Sequence, residues 1–145
     1  MMLGVGALVV ASLGFLVVVV DAQGGPLPHE FYGAVKINGL SAPAGTTVEA
    51  RGENVAVGVE GNPITTKEIG QYGGPGAFDG KLIVQGQDLE TGDPIEFYVD
   101  GTQAQVKTEE TVWSDTFAFE PDGLTELDLR VGASGSRTFL PLVTR

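Results

Sequence analysis

Three carboxylates stand close together in the segment DLETGD and form the candidate metal site of the chain. Asp88, Glu90 and Asp93 fall within six residues that are rich in turn-forming types. Calcium is held by several carboxylate oxygens gathered on one loop. The segment lacks the twelve-residue spacing of an EF-hand loop, so two interpretations stay open: a loop calcium site, or three solvated acids. We expect no cofactor other than calcium.

Three aromatic residues suggest a second kind of chemistry, the stacking of aromatic rings on sugars or other ligands. Tyr32 is predicted to lie on the exposed side of its strand, opposite Phe31 and Val35. Tyr98 and Trp113 complete this candidate ligand-binding platform. Trp113 has an alternative place as the core tryptophan of a β-sandwich, and the sequence favours that alternative.

The residues needed for catalysis form no recognisable constellation. The chain has one histidine, His29, and no cysteine. No serine or acid stands near it at a spacing typical of a catalytic triad. Glu109 and Glu110 are adjacent acids in turn-like sequence, where solvated side chains are far commoner than a glycosidase pair. We therefore predict a non-enzymatic protein.

The composition restricts the partners of this chain. Nineteen acidic and eight basic residues give a formal net charge of −11. Such a surface repels phosphate backbones and offers no basic patch for anionic lipids. We therefore expect no nucleic acid. The predicted partners are copies of the chain or other surface proteins, with carbohydrate as the alternative.

The segments that must position these residues alternate apolar and polar side chains with the period of a β-strand. The dipeptides Asn38-Gly39 and Asp100-Gly101 are strong signals for tight turns. Many strands at intervals of roughly ten residues predict an all-β fold, an antiparallel sandwich of seven to eight strands. The predicted strands are residues 30–37, a hairpin of 46–51 and 54–59, and then 81–84, 95–99, 102–107, 111–119 and 124–131.

Two spaced motifs lie between these strands: P-A-G-T-T-V at residues 43–48 and T-K-E-I-G-Q-Y at residues 66–72. Together with the segments YGAV, KLIV and GDPI, they resemble the carboxypeptidase regulatory-like, or transthyretin-like, modules of exported bacterial surface proteins. The resemblance implies an immunoglobulin-like sandwich used in stalks, spacers, adhesins and appendages to enzymes. The family's loop is expanded here by residues 73–80, and we expect Tyr72 and Phe78 to anchor its ends.

The first 22 residues indicate where in or outside the cell the protein is located. Residues 3–20 are uncharged, and Asp21 follows them directly. This pattern predicts either a signal peptide or a retained apolar helix that almost spans a bilayer. We expect an extracellular or cell-surface protein that touches a membrane only through this segment. The predicted division is 1–22 for the leader or helix, 23–29 for a linker, 30–131 for the sandwich and 132–145 for a flexible linker and apolar tail.

The tail is a candidate for assembly. Residues 137–145, RTFLPLVTR, have high β-propensity and are similar to a Y/F-L-P-L-V-x-R ending seen on exported proteins of some filamentous bacteria. The tail either folds back as an edge strand of its own domain or is donated to a neighbouring sheet edge.

The leading hypothesis for the function of the protein is a structural or interaction module, such as a self-assembling surface or filament subunit. The alternatives are a carbohydrate- or ligand-binding accessory module and a single-helix subunit of a membrane complex. The predicted assembly residues are Phe139, Leu140, Leu142 and Val143.

Overall fold

The computed structural model describes residues 25–132, which consist of β-strands and the turns that connect them. Within this range no helix has the length and apolar character needed to cross a bilayer. The predicted all-β class is confirmed, while the predicted N-terminal helix and C-terminal tail lie outside the described residues.

Eleven described strands form one curled sheet of parallel and antiparallel pairs. They are β1 (His29–Ile37), β2 (Leu40–Ser41), β3 (Thr47–Arg51), β4 (Ile64–Thr65), β5 (Gln71–Tyr72), β6 (Leu82–Val84), β7 (Pro94–Val99), β8 (Thr102–Lys107), β9 (Phe117–Ala118), β10 (Leu124–Glu126) and β11 (Asp128–Val131).

β1 is the strand around which the sheet curls. Its first half pairs with β6 and β10, its middle with β5, and its second half with β2 and β11. The partners change at Gly33, where a side-chain Cβ would collide with the carbonyl oxygen of Leu127. The backbone N–H of Leu127 donates to the carbonyl of Tyr32 at 2.8 Å. Because position 33 has no side chain, the backbone of Leu127, between β10 and β11, can lie close against β1.

The prediction of a purely antiparallel sheet is wrong, because β10 and β11 both run parallel to β1. Residues 124–131 also form two strands rather than the one we predicted. The break falls at Leu127, where the chain moves from one section of the curled sheet to the next. Leu127 is nevertheless fully buried, as is Leu129, so the predicted alternation of buried and solvent-facing residues holds across the break.

The predicted hairpin of 46–51 and 54–59 is wrong, because residues 54–59 form no strand. β3 pairs with β7 on one side and with the short β4 on the other. Beyond β4, the buried side chain of Asn62 takes the place of a neighbouring strand. Its Oδ1 accepts from the backbone N–H of Ala50 at 2.9 Å, and its Nδ2 donates to the carbonyl of Ala50 at 2.8 Å. One amide side chain thus satisfies both backbone groups that a strand at 54–59 would have paired.

The segment 111–119 is also less regular than predicted. It contributes only β9, which pairs with the start of β7, and an isolated bridge from Ser114 to Val106. A turn accounts for the difference: the backbone N–H of Thr108 donates to Oγ1 of Thr111 at 2.9 Å. The hairpin at Asp100-Gly101 forms as predicted, and both of its turn residues have positive φ.

The core lies inside the curl of the sheet. Tyr72 is fully buried and donates its phenolic hydrogen to the carbonyl of Leu127 at 2.7 Å. Burial raises the pKa of this phenol well above its usual value. The predicted anchoring of the expanded loop by Tyr72 is therefore confirmed. The largest apolar and aromatic side chains of the core are those of Tyr72, Phe31, Phe97, Phe119, Leu82, Ile95, Leu127 and Leu129.

Candidate functional site

The described residues form a groove of about 790 Å³. It lies between the short strand β4 and the glycine-rich loop, by which we mean residues 73–80. Ile64 of β4 and Ile83 of β6 line it, and both side chains are half-buried. Phe78 of the glycine-rich loop lies at its rim. The groove is therefore apolar in part, with a free aromatic ring beside it.

The glycine-rich loop holds Phe78 away from the core. We predicted that Phe78 would anchor this loop, and that prediction is wrong because the side chain is wholly exposed. The loop is closed instead by its own polar groups. The Gly76 N–H donates to Oδ2 of Asp79 at 2.7 Å, and the Gly74 N–H donates to the carbonyl of Gly80 at 3.1 Å. Phe78 is thus presented to solvent by a hydrogen-bonded loop.

The charged side chains around the groove are mainly acidic. Four carboxylates and two ammonium groups line it, a formal charge of −2. One of the ammonium groups, that of Lys81, donates to the carbonyl of Gly76 at 2.5 Å and so has a partner within the glycine-rich loop. The charged lining residues are Glu30, Glu60, Glu68, Asp79, Lys67 and Lys81.

One wall of the groove is the edge of the sheet. Among the described strands, β4 is last in the pairing order and has a strand partner, β3, on one side only. Both residues of β4, Ile64 and Thr65, line the groove. An edge strand presents unpaired backbone N–H and C=O groups that another extended segment can pair with. The groove therefore combines a backbone edge, apolar side chains and negative charge.

Two of the three predicted platform aromatics lie on the solvent-facing side of the β3, β7, β8 and β11 section. The guanidinium of Arg51 stacks over Tyr98, with its Cζ 3.8 Å from the ring centroid. The guanidinium of Arg130 lies over Trp113 at 4.1 Å. Both rings are half-buried, and Trp113 is not the core tryptophan that the sequence favoured. Each ring therefore has one face covered by an arginine.

Polar contacts fix these two rings in place. The hydroxyl of Tyr98 donates to Oε1 of Glu96 at 2.9 Å, and this hydrogen bond raises the pKa of the phenol. Nε and Nη2 of Arg130 both donate to Oε1 of Gln105, at 3.0 and 2.9 Å. Tyr32, the third predicted aromatic, lies elsewhere, next to Glu126 of β10. The structure thus does not assemble a three-ring platform.

The predicted calcium ligands lie on the turn that precedes β7. Asp88 and Glu90 are exposed, and Oδ2 of Asp93 accepts from the backbone N–H of Glu90 at 2.9 Å. Asp93 therefore closes the turn. Within residues 25–132, no three histidine or acidic side chains are grouped so that they could hold a metal ion. The calcium site at these three residues stays a prediction.

His29 is a core residue. It begins β1, is fully buried, and stacks on Phe31 with ring centroids 4.1 Å apart. Its Nδ1 accepts from the backbone N–H of Glu120 at 3.2 Å, so the ring proton of the neutral imidazole lies on Nε2. That nitrogen donates to Oγ1 of Thr125 at 2.8 Å. Burial lowers the pKa of His29 to about 4. In this tautomer the imidazole cannot take a proton from Thr125.

The groove is the feature that our sequence reasoning did not identify. Its residues are Glu30 of β1 and members of the segment 60–83, and only the expanded loop at 73–80 gave a signal in the sequence. The chain matches no family model, no curated protein and no solved structure. The family resemblance therefore rests on the short sequence motifs alone.

Proposed function

We propose that this chain is a non-enzymatic structural or interaction module that works at the cell surface or outside the cell. It binds an extended polypeptide segment in the groove between β4 and the glycine-rich loop. We also propose that its fold is a variant of the immunoglobulin-like or transthyretin-like sandwich. A core enclosed by the curled sheet and the anchored Tyr72 support that assignment.

The wholly exposed ring of Phe78 is the observation that carries the proposal. Covering a phenylalanine side chain contributes roughly 2 kcal/mol of favourable free energy, which this loop forgoes in the isolated chain. Hydrogen bonds within the loop hold the ring in that position. Ile64, Phe78 and Ile83 line the same groove, and exposed apolar residues that are grouped in this way, rather than scattered singly, are typical of an interaction site.

The open edge of β4 supports the proposal of an extended polypeptide as the ligand. Strand addition supplies main-chain hydrogen bonds, while pockets beside the edge take alternate side chains of the added strand. Here Ile64 and Ile83 provide apolar contacts beside the edge. The acidic side chains around them favour a segment with positive charges.

The alternative function, carbohydrate binding, has weaker support. A sugar that stacks on an aromatic ring needs a free ring face, and Arg51 and Arg130 each cover one face of Tyr98 and Trp113. These two rings belong to separate clusters, and Tyr32 lies apart from both. The third hypothesis, a single-helix subunit of a membrane complex, depends on residues 1–22, which lie outside the described residues.

Site-specific photo-crosslinking in the producing cells tests the proposal. The photoreactive residue p-benzoyl-phenylalanine replaces Phe78 in one full-length chain and Val112 in a matched control. Val112 is 80% exposed and does not line the groove. We expect ultraviolet light to produce a polypeptide adduct at position 78 and none at position 112. Equal labelling at both positions, or no adduct at position 78, would contradict the proposed site.

A further inference from the structure

We infer that the occupant of this groove is the segment 137–145 of a neighbouring copy, so that the chain polymerises by donating its tail. This inference rests on the proposed function and names the partner of the same site. The segment reads RTFLPLVTR, with apolar side chains between two arginines. It therefore has the two properties that the groove selects: apolar side chains and positive charge.

The charges of segment and groove are complementary. Residues 133–145 contain Arg137 and Arg145 and no acidic residue, although the whole chain carries a net charge of −11. The groove lining carries four carboxylates and two lysines. Opposite charges at the rim of an interface guide the approach of the two surfaces and fix their register. In this acidic protein, the tail is the basic segment and the groove is an acidic surface.

The apolar part of the tail also suits an added strand. Phe139, Leu140, Leu142 and Val143 supply large side chains, and β-branched and aromatic residues favour extended structure. Pro141 has no backbone N–H, which is tolerated on an edge strand where that position faces away from its partner. Phe78 lies at the groove as an apolar contact for one of these side chains.

The direction of β11 favours the groove of another copy over the chain's own groove. β11 runs parallel to β1 and ends at Val131, which pairs with Ile37. Two groove residues lie beside earlier parts of β1: Glu30 belongs to its start, and Gln71 pairs with Ala34 in its middle. β11 therefore points away from both. A segment that continues from β11 has to reverse direction to enter the groove of its own chain, and a neighbour in line requires no reversal.

Donation from one copy to the next is a head-to-tail contact. The donating segment and the receiving groove are different surfaces, so each copy keeps one free tail and one free groove after pairing. Contacts of this kind form rings when the rotation closes and open filaments when it does not. The inference therefore predicts a polymer whose growth ends when either surface is blocked.

Complementary variants of the full chain test this inference. Leu140→Asp places a charge in the tail, and Phe78→Asp places a charge at the groove. We expect each variant alone to sediment as a single copy. A 1:1 mixture should give a dimer and nothing larger, because only the intact tail of the Phe78→Asp chain can enter the intact groove of the Leu140→Asp chain. Val112→Asp is the control and should assemble as the unaltered chain does.

The sequence of the adduct formed at position 78 separates this inference from the proposed function. A mixture of ¹⁴N- and ¹⁵N-labelled chains is crosslinked, and the adduct is digested and analysed by mass spectrometry. A tail peptide joined to a groove peptide of the other isotope is the expected result. A tail joined only to the groove of its own chain would overturn donation between copies, as would Leu140→Asp chains that still polymerise. An adduct with a different polypeptide would overturn the inference while leaving a peptide-binding groove in place.

Discussion

Lowering the pH should destabilise this protein through His29. The imidazole is fully buried among aromatic rings, and burial lowers its pKa from 6.5 to about 4. In the unfolded chain the group takes up a proton as the pH falls below about 6.5, whereas the folded chain stays neutral until about pH 4. Between these values the unfolded state binds more protons, so the free energy of unfolding falls as the pH falls.

The size of the effect follows from the two pKa values. The contribution of His29 reduces the free energy of unfolding by about 2 kcal/mol at pH 5 and by about 3 kcal/mol at pH 4, relative to pH 7.5. Below about pH 3 both states are protonated, and this contribution levels off. The chain contains one histidine, so no second imidazole titrates in the same window.

Urea unfolding of the full chain at pH 7.5, 5 and 4 measures the effect. A His29→Phe chain provides the comparison, because phenylalanine keeps the ring contacts with Phe31 and cannot take up a proton. His29→Gln serves the same purpose if the phenylalanine variant does not fold. The unaltered chain should lose about 3 kcal/mol more than the variant between pH 7.5 and pH 4. Equal losses, or an imidazole that titrates near pH 6.5 in NMR spectra of the folded chain, would refute the reasoning.

Three further substitutions test the fold and the groove separately. Asn62→Ala leaves the buried backbone N–H and C=O of Ala50 without partners, so urea unfolding should show a loss of about 3 kcal/mol. An unchanged urea midpoint would mean that water or another group takes over the hydrogen bonds of the Asn62 amide to Ala50. Gly33→Ala adds a Cβ that collides with the carbonyl of Leu127, and the loss should be roughly 3 kcal/mol or more by the same assay. Phe78→Asp changes a wholly exposed side chain and should shift the free energy of unfolding by less than about 0.5 kcal/mol. A large loss would show that Phe78 packs against its own domain.

Local patterns in the sequence predicted the longer strands well. Alternation in residues 30–37 and 95–99 corresponds closely to β1 and β7, because each strand buries one face against the core. The strand predictions were wrong where a side chain took the place of a strand, or where the paired strands lie far apart in the sequence. Asn62 takes the place of a strand beside Ala50, twelve residues away, and no periodic pattern reports such a contact.

The direction of pairing could not be predicted for a similar reason. β1 and β11 are almost one hundred residues apart in the chain, and alternation is the same for parallel and antiparallel neighbours. Gly33 was visible within the YGAV segment, yet its role depends on the close approach of Leu127, which only the folded chain reveals.

The candidate site was predictable only in part. The expansion at 73–80 marked a loop that needed an explanation, but its single phenylalanine resembled an anchor for the core. The loop closes on the side chain of Asp79 instead, which removes the need for an apolar anchor and leaves Phe78 outside. Trp113 illustrates the reverse case, since stacking with Arg130 gives a large ring a place on the surface.

Sedimentation velocity of three full-length chains tests the central claim, that copies of the chain hold together through the groove at Phe78. The unaltered chain, Phe78→Asp and Val112→Asp are compared at equal concentration and low salt. We expect large assemblies for the unaltered chain and for Val112→Asp, and a single-copy species for Phe78→Asp. Assemblies of the same size in all three samples would contradict this claim, because the groove would then play no part in holding copies together.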